Sequence, residues 1–599
     1  MFDLTIIIPC YNEEIYISQI INDIKTWSIT NKLAVEIIVG DNNSTDKSYK
    51  IAVETGARVI SVLNKGYGNV VIEASKYANS EFLIFIDGDG QHKVEDLNLI
   101  YKALTAGADL VIGNRFSSTK RTHSTSFLKE YVGNPVLTHI GKFLFNSKID
   151  DFHSGFRGIK KAVFNSLDLK ASGFESCSEM IAIAEIQNRK VEQVPISVSQ
   201  PFLGRKSNIR PLIDGLKHLK CLINIAFENR LHYRLFLFLI AINSLILIPF
   251  ILIYGLIITP DTATYDKWSN QLMNSGVTRI LSDSDYVFSK VFYLFHLSFI
   301  AFCKMIAGDY WTYFHFISNI FLHVLTGVLI FYNSYKLTKD GAVALISNIL
   351  FYFSIDSINI TCCLLSDTNF IFLINLLFAF YLSKTQLKKY LTPSFLGLLI
   401  VIVFYRPTGI NILATFLFFF ILERFKLNVS KTIVYNFLFV TGIILFSYNI
   451  YVLTMGDIYI NDIPLKFLRT KFEYDMAGIV VWDRYISSEL FAGNTLGSTL
   501  FYLEKLARFF QFYVPQYSPL HNILNSMFFI PTYLSLFFLM VSKSINKIEI
   551  LVIIFFIFAT AFFHTFTVID YDWRYRLVLI PFLCNLFAIG FQKILYKYD

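Results

Sequence analysis

From Leu235 to Ile258 the chain carries no formally charged side chain, and that run is long enough to cross a bilayer as a helix. Nothing else constrains the fold so tightly, because backbone in lipid must satisfy its own hydrogen bonds. Arg230 and Arg234 stand just before the run and place its start on the cytoplasmic side. Uncharged runs recur at Tyr310–Tyr335, Gly341–Ile355, Thr368–Ser383, Tyr390–Tyr405 and Pro407–Leu422, then at Thr432–Gly456, Tyr517–Ser542, Ile550–Ile569 and Leu577–Gln592. The expectation is an all-α, multi-pass membrane domain of about ten helices over residues 231–599.

Composition matters because it is uneven. Charged residues are 16% of the 599-residue chain, below the soluble norm of about 25%. Up to Arg234 the chain holds 28 basic and 25 acidic residues; the remaining 365 hold only 25 and 20. Residues 1–230 therefore read as a soluble domain. The net charge of +8 belongs to the flanks of membrane spans and is no argument for nucleic acid. Basic turns (Lys336, Lys339; Lys384, Lys388, Lys389; Arg424, Lys426, Lys431; Lys543, Lys547; Lys593, Lys597) alternate with acidic ones (Asp261, Asp266, Asp283, Asp285; Asp356, Asp367; Asp457, Asp462, Asp475, Asp483; Asp570, Asp572). The alternation is unbroken if Val287–Met305, with Lys290, His296 and Lys304, lies along the outer surface as an amphipathic helix. Both termini then face the cytoplasm, and long outer segments fall at 259–309 and 457–516. The opening MFDLTIIIPC has no basic n-region or cleavage site, so no signal peptide is expected. Seven cysteines show neither metal spacing nor a disulfide framework.

In the soluble part, apolar runs at Leu4–Ile8, Val35–Val39, Arg58–Leu63 and Phe82–Ile86 predict strands, with helices between them. Strands alternating with helices predict a parallel sheet that binds ligands at the strands' C-terminal ends. The polar clusters fall at those ends: Tyr11 to Glu14, Gly40 to Asp46, Asn64 to Asn69, and Asp87-Gly88-Asp89-Gly90-Gln91-His92. Gly66 and Gly68 would let backbone approach a ligand closely. Two carboxylates one residue apart repel unless a cation lies between them. Oxygen ligands from Asp87, Asp89 and Gln91 suit Mg²⁺ or Mn²⁺. An acidic turn closing a strand is the bland alternative.

IIIPCYNEE, GDNNSTD, NKGYGN and DGDGQH in this order, with GNRF, GNP, DFHSGFRG, GFESCSEM and EQVPISV beyond, resemble the family 2 glycosyltransferases. The resemblance is narrower to the polyprenyl-phosphate, dolichyl-phosphate mannose synthase-like branch, and covers about the first 230 residues. It implies an α/β GT-A (Rossmann-like) fold. It also implies that Pro9, Tyr11, Glu13, Asp41, Gly66 and Asp87 contact a nucleotide sugar, a UDP- or GDP-hexose. Asp87, Asp89 and Gln91 would hold the metal, and Arg115 would lie near the phosphates. Arg205, Lys206 and Arg210 would belong to a basic loop over the donor; a collar resting on anionic lipid is the alternative. A lipid phosphate is already an anion, so it can attack the anomeric carbon without a strong base. The enzyme's task is then alignment and charge neutralisation. Glu175 and Glu179 are candidates for contacting the sugar.

The long outer segments, Asp261 after the first helix, and SDTNF, YRPTG and DWRYRLVLIP resemble GT-C membrane glycosyltransferases. That resemblance implies Asp261 as a general base, and Arg406 and Arg574 as holders of a lipid-linked donor's phosphate. A helix-capping Asp261 and snorkelling arginines are the alternatives. The reading is a two-step plasma-membrane enzyme of microbial type: hexose onto polyprenyl phosphate inside, then onto a glycan, lipid or protein outside. Its rivals are a synthase whose helices only anchor it or assist flipping, a processive polysaccharide synthase (which lacks support, QxxRW being absent), and a transporter. An oligomer is compatible with all of them.

Overall fold

The structure, a computed structural model, describes residues 2–116, 133–199, 210–229, 231–282, 287–383, 392–424, 506, 509–513, 518–541, 548–567 and 573–596. The chain divides into two compact units, Met1–Phe238 and Leu239–Asp599, and each is described by itself.

In the first unit the apolar runs become strands β1 (Leu4–Cys10), β2 (Val35–Asp41), β3 (Arg58–Ser61) and β4 (Phe82–Phe85). Helices α1 (Ile17–Thr30), α2 (Ser48–Glu54) and α3 (Tyr67–Lys76) connect them. Then come α4 (Leu97–Thr105), β5 (Leu110–Asn114), α5 (Asn134–Phe145), β6 (Arg157–Lys160), α6 (Lys161–Ser166), α7 (Ser176–Ile186), β7 (Val191–Pro195) and α8 (Pro211–Glu228). The seven strands form one sheet in the order β3-β2-β1-β4-β6-β5-β7. Ile6, Ile8, Ile84 and Val39 are fully or almost fully buried and anchor its core. Each such side chain contributes roughly 1.5–3 kcal/mol relative to exposure.

The sheet is mixed, which corrects the expectation of an all-parallel one: β6 runs antiparallel to both β4 and β5. Gly158 explains how β6 is accommodated there. A Cβ at Gly158 would lie 2.4 Å from Ile100 and 2.8 Å from Leu104, so its absence lets α4 lie directly on this strand.

The second unit is helical. Five helical stretches are long and apolar enough to cross a membrane among the described residues: His232–Tyr254 (α9), Leu294–Thr338, Pro519–Leu539, Ile548–Thr565 and Arg576–Leu595. A sixth is counted if α14 (Gly341–Phe351) and α15 (Ile355–Thr361), bent by 62°, form one broken span. Shorter apolar helices occupy Asp367–Ser383 (α16), Pro393–Val403 (α17) and Gly409–Leu422 of α18. The expected run Thr432–Gly456 and nearly all of segment 457–516 lie outside the described residues.

Between α9 and α14 lie α10 (Pro260–Ser282), α11 (Val287–Phe292), α12 (Leu294–Ala307) and α13 (Trp311–Thr338). One sequence expectation fails here. Lys290 and His296 do not mark an outward polar face, since both are buried, at 2% and 0% exposure. Lys304 turns inward as well, onto Asp266 at 2.7 Å and Ser269 at 2.6 Å. Asp356 and Asp367, expected in acidic outer turns, are 1% exposed. Each has found an arginine from a distant segment, which is what makes burial of a carboxylate tolerable.

Candidate active site

The C-terminal ends of β1, β2 and β4 lie side by side, because Cys10 pairs with Asp41 and Ile7 with Phe85 in register. Two neighbouring loops are joined there by side chains. Asn12, in the left-handed region at φ 57°, accepts from the Thr45 amide at 2.7 Å. The Glu13 amide donates to Ser48 Oγ at 2.7 Å, and the Lys47 amide to Glu14 at 3.0 Å. Asn42 ties in a third loop, donating to the Val62 and Asn64 carbonyls and accepting from the Gly66 amide at 2.8 Å. Three of the four sequence clusters are thus connected by asparagine, serine and acidic side chains.

Asp41 is 5% exposed; its Oδ2 accepts from the Ser44 amide at 3.2 Å, while Oδ1 has no partner among the described residues. A buried acceptor left open is costly unless a ligand donor meets it. Beside it, Gly88 packs on the Pro9 carbonyl and the Glu13 side chain, and Tyr11 is exposed. Burial, with Asp41 nearby, pushes the Cys10 thiol up to about 12, so no thiolate nucleophile operates at this edge.

Asp87 leaves β4 into this crevice with its side chain 30% exposed. Three groups border it. His92 Nε2 lies 3.2 Å from Oδ2. The Tyr67 hydroxyl lies beside the carboxylate and donates to the Gly155 carbonyl at 3.4 Å. Gly155 itself abuts it, for a Cβ there would lie 2.4 and 2.5 Å from the two carboxylate oxygens. Burial alone would raise the Asp87 pKa, but the His92 bond and the nearby Arg115 and Arg157 hold it below the usual carboxylate range. Asp89 Oδ1 accepts from the Gln91 amide at 3.1 Å, which folds the turn back on itself just beyond Asp87.

Arg115, just beyond β5, is a quarter exposed and is fixed by Asp151 through Nε at 2.7 Å and Nη2 at 2.8 Å. Burial opposes the Asp151 charge, yet the paired guanidinium lowers its pKa. Arg157 is 1% exposed and donates to the carbonyls of Ser154 and Cys177, with no carboxylate in ion-pair range among the described residues. The DFHSGFRG stretch therefore backs the acidic turn: Asp151 fixes Arg115, Gly155 makes room for Asp87, Phe156 packs on His92 at 5.2 Å, and Arg157 lends positive charge.

Some sequence-based candidates behave differently. The close approaches at Gly66 and Gly68 are to the chain's own backbone, the carbonyls of Ser172 and Ala171, where a Cβ would lie at 2.2 and 2.0 Å. Glu179 accepts from the Lys170 and Ala171 amides at 2.8–3.1 Å and so shapes that facing segment. Glu175 accepts from the Gly173 amide at 3.1 Å. Arg205 and Lys206 lie outside the described residues, and Arg210 is exposed at the start of α8. Asp151, Tyr67, His92 and Arg157 were not among the site residues picked from sequence. A signal for each existed, since all four fall inside the motifs that carried the resemblance.

In the helical unit, Asp261 lies in the first turn of α10, where a helix N-terminus favours a carboxylate. The segment around it pairs with residues 362–364: the Ile257 amide donates to the Cys362 carbonyl, and Thr262 Oγ1 to the Leu364 carbonyl. Arg406 is not a snorkelling arginine but a 2%-exposed one paired with Asp367. Asn369 donates to the Tyr405 hydroxyl at 2.7 Å, so SDTNF and YRPTG meet twice. The DWRYRLVLIP stretch contributes Arg576, bonded to Asp356 at 2.8 Å, with His521 on the other oxygen at 2.5 Å. The side chain of Arg574 lies outside the described residues.

Among the described residues no three carboxylate, imidazole or thiol groups converge as a metal cage. The donor types that Asp87, Asp89 and Gln91 offer, two carboxylates and an amide oxygen, fit a hard divalent ion completed by substrate phosphates.

Residues 5–168 match the family model described as glycosyl transferase family 2. The chain is similar to the low-salt glycan biosynthesis hexosyltransferase Agl6 of Haloferax volcanii, with 30% identity over 221 residues, 37% of this chain and 53% of Agl6. It is 29% identical over 230 residues to the UDP-N-acetylglucosamine–dolichyl-phosphate N-acetylglucosaminyltransferase of Methanococcus voltae, covering 34% of this chain and 89% of that one. Protein RfbJ of Shigella flexneri is 37% identical over 115 residues, 19% of this chain and 86% of RfbJ. The chain thus spans about half the length of Agl6.

Proposed function

The chain belongs to glycosyl transferase family 2 through its N-terminal unit, and from that premise we propose that this GT-A-type unit transfers a hexose from a UDP- or GDP-sugar to a polyprenyl phosphate at the cytoplasmic face of the membrane. One observation carries the reading: Asp41, with an unpartnered buried oxygen, and the fixed Asp87 share a crevice backed by Arg115 and Arg157. The likeness to the Methanococcus dolichyl-phosphate N-acetylglucosaminyltransferase supports a lipid phosphate as acceptor.

Asp41 receives a donor group of the base, and Pro9, Tyr11, Glu13 and Gly66 border the nucleotide. Asp87, Asp89 and Gln91 would hold a Mg²⁺ or Mn²⁺ ion, which when bound would supply positive charge to the departing diphosphate. Arg115, pre-set by Asp151, presents its guanidinium without reorganising when that charge develops. The acceptor phosphate attacks as an anion, so the unit needs no general base, and the reaction inverts at the anomeric carbon. Arg205, Lys206 and Arg210 belong to a basic loop over the donor phosphates in this reading.

For the helical unit the reading is GT-C-like: the lipid-linked sugar is used on the outer face, with Asp261 as base and Arg406 and Arg574 near the donor phosphate. This rests on the sequence pattern and on the meeting of SDTNF with YRPTG. In this reading the protein is a multi-pass plasma-membrane enzyme with both termini inside. Incubation with labelled nucleotide sugar, polyprenyl phosphate and Mg²⁺ tests the first step; label that stays water-soluble, or enters long polymer, overturns it. Transfer from purified lipid-linked sugar by an Asp261→Asn variant at the unaltered rate removes Asp261 from the second.

A further inference from the structure

His92 is part of the acidic turn but has no role in the reading above. Its ring is 5% exposed, and an ionised Asp87 can only accept, so the imidazole hydrogen must sit on Nε2. That bond, at 3.2 Å, engages Oδ2 rather than Oδ1. The ring cannot swing away easily. It packs on Phe156 at 5.2 Å, and its backbone forms an isolated antiparallel bridge with Val198. The Ser199 amide donates to the neighbouring Gln91 carbonyl at 2.8 Å, fastening the same turn. Gly155 borders the carboxylate elsewhere and offers no side chain to hold it.

We propose that His92 is a positioning residue for the divalent ion: it fixes the plane of the Asp87 carboxylate so that one oxygen faces the metal. The inference rests on the metal site of the proposed function and adds a residue that touches neither metal nor substrate. A carboxylate free to rotate binds an ion less tightly because its orientation must be frozen on binding. Partners that orient a ligand in this way typically change metal affinity about 10–100-fold when removed. A purely structural histidine in the same place would alter stability and leave affinity alone.

The test is Mn²⁺ titration of the full-length detergent-solubilised protein, reading free ion by electron paramagnetic resonance, alongside transfer rates at rising Mn²⁺. His92→Ala is expected to weaken Mn²⁺ binding about 10–100-fold and to shift the rate curve to higher metal, with most of the rate recovered at saturation. His92→Gln, whose amide can still donate to Asp87, should stay close to the parent. His92→Asn, too short to reach, should resemble the alanine variant, and the Gln–Asn pair decides the matter if the alanine variant fails to fold. Unchanged affinity in the His92 variants while Asp87→Ala loses Mn²⁺ overturns the role of His92 alone. Parent-like Mn²⁺ binding by Asp87→Ala overturns the metal site, and the positioning role with it.

Discussion

The two units treat acidic side chains in opposite ways. In the α/β unit Asp87 is 30% exposed, held at one edge, and keeps lone pairs for something outside the protein. In the helical unit Asp356 and Asp367 are 1% exposed and face arginines drawn from far along the chain. A held but open carboxylate is prepared for a ligand, whereas a buried pair has satisfied itself. Removing one member of such a pair leaves an uncompensated charge, so its first effect is on stability. The contrast separates residues that act from residues that hold.

The largest effect should come from the open edge. Asp87→Ala is expected to lower sugar transfer by at least about 10²–10³-fold, the scale of losing one pre-set electrostatic group, with thermal unfolding little changed. Next, Asp367→Ala should destabilise the helical unit by roughly 3–5 kcal/mol, read as a drop in its unfolding midpoint in detergent. A variant that lost transfer but kept that midpoint would break the contrast. Gly155→Ala sharpens it from the other side. Its methyl group would displace the Asp87 carboxylate, at a cost of about 10²-fold in rate if the shift approaches 1 Å. Glu179→Ala should cost about 1–3 kcal/mol, because the Lys170 and Ala171 amides lose their acceptor. The smallest effect is in pH. The folded pKa of Asp151 is depressed, so its contribution is complete above the unfolded value near 4 and is lost only as pH falls through the folded one. Acid unfolding of Asp151→Asn should accordingly show a shallower slope below about pH 4.

Local pattern made much of the first unit legible. The runs around Ile6, Ile38 and Ile84 lie where strands form, and the polar clusters do fall at their C-terminal ends. The direction of β6 was not legible, because Arg157–Lys160 reads the same in either orientation and is decided by its neighbours β4 and β5. Gly66 and Gly68 were correctly seen as points of close approach, but sequence could not tell a ligand from the carbonyls of Ser172 and Ala171. In the helical unit, the alternation of charge assigned Asp356 and Asp367 to outer turns and said nothing of what they pair with. Their partners, Arg576 and Arg406, lie 220 and 39 residues away, and pairing over such distances has no periodic signature.

The contact between Tyr67 and Gly155 joins residues 88 apart in the chain. A nascent polypeptide long enough to have made the first four strands still lacks the glycine, the arginine and the aspartate that steady its acidic turn. During synthesis the surroundings of the crevice are therefore complete only once residue 157 has been added.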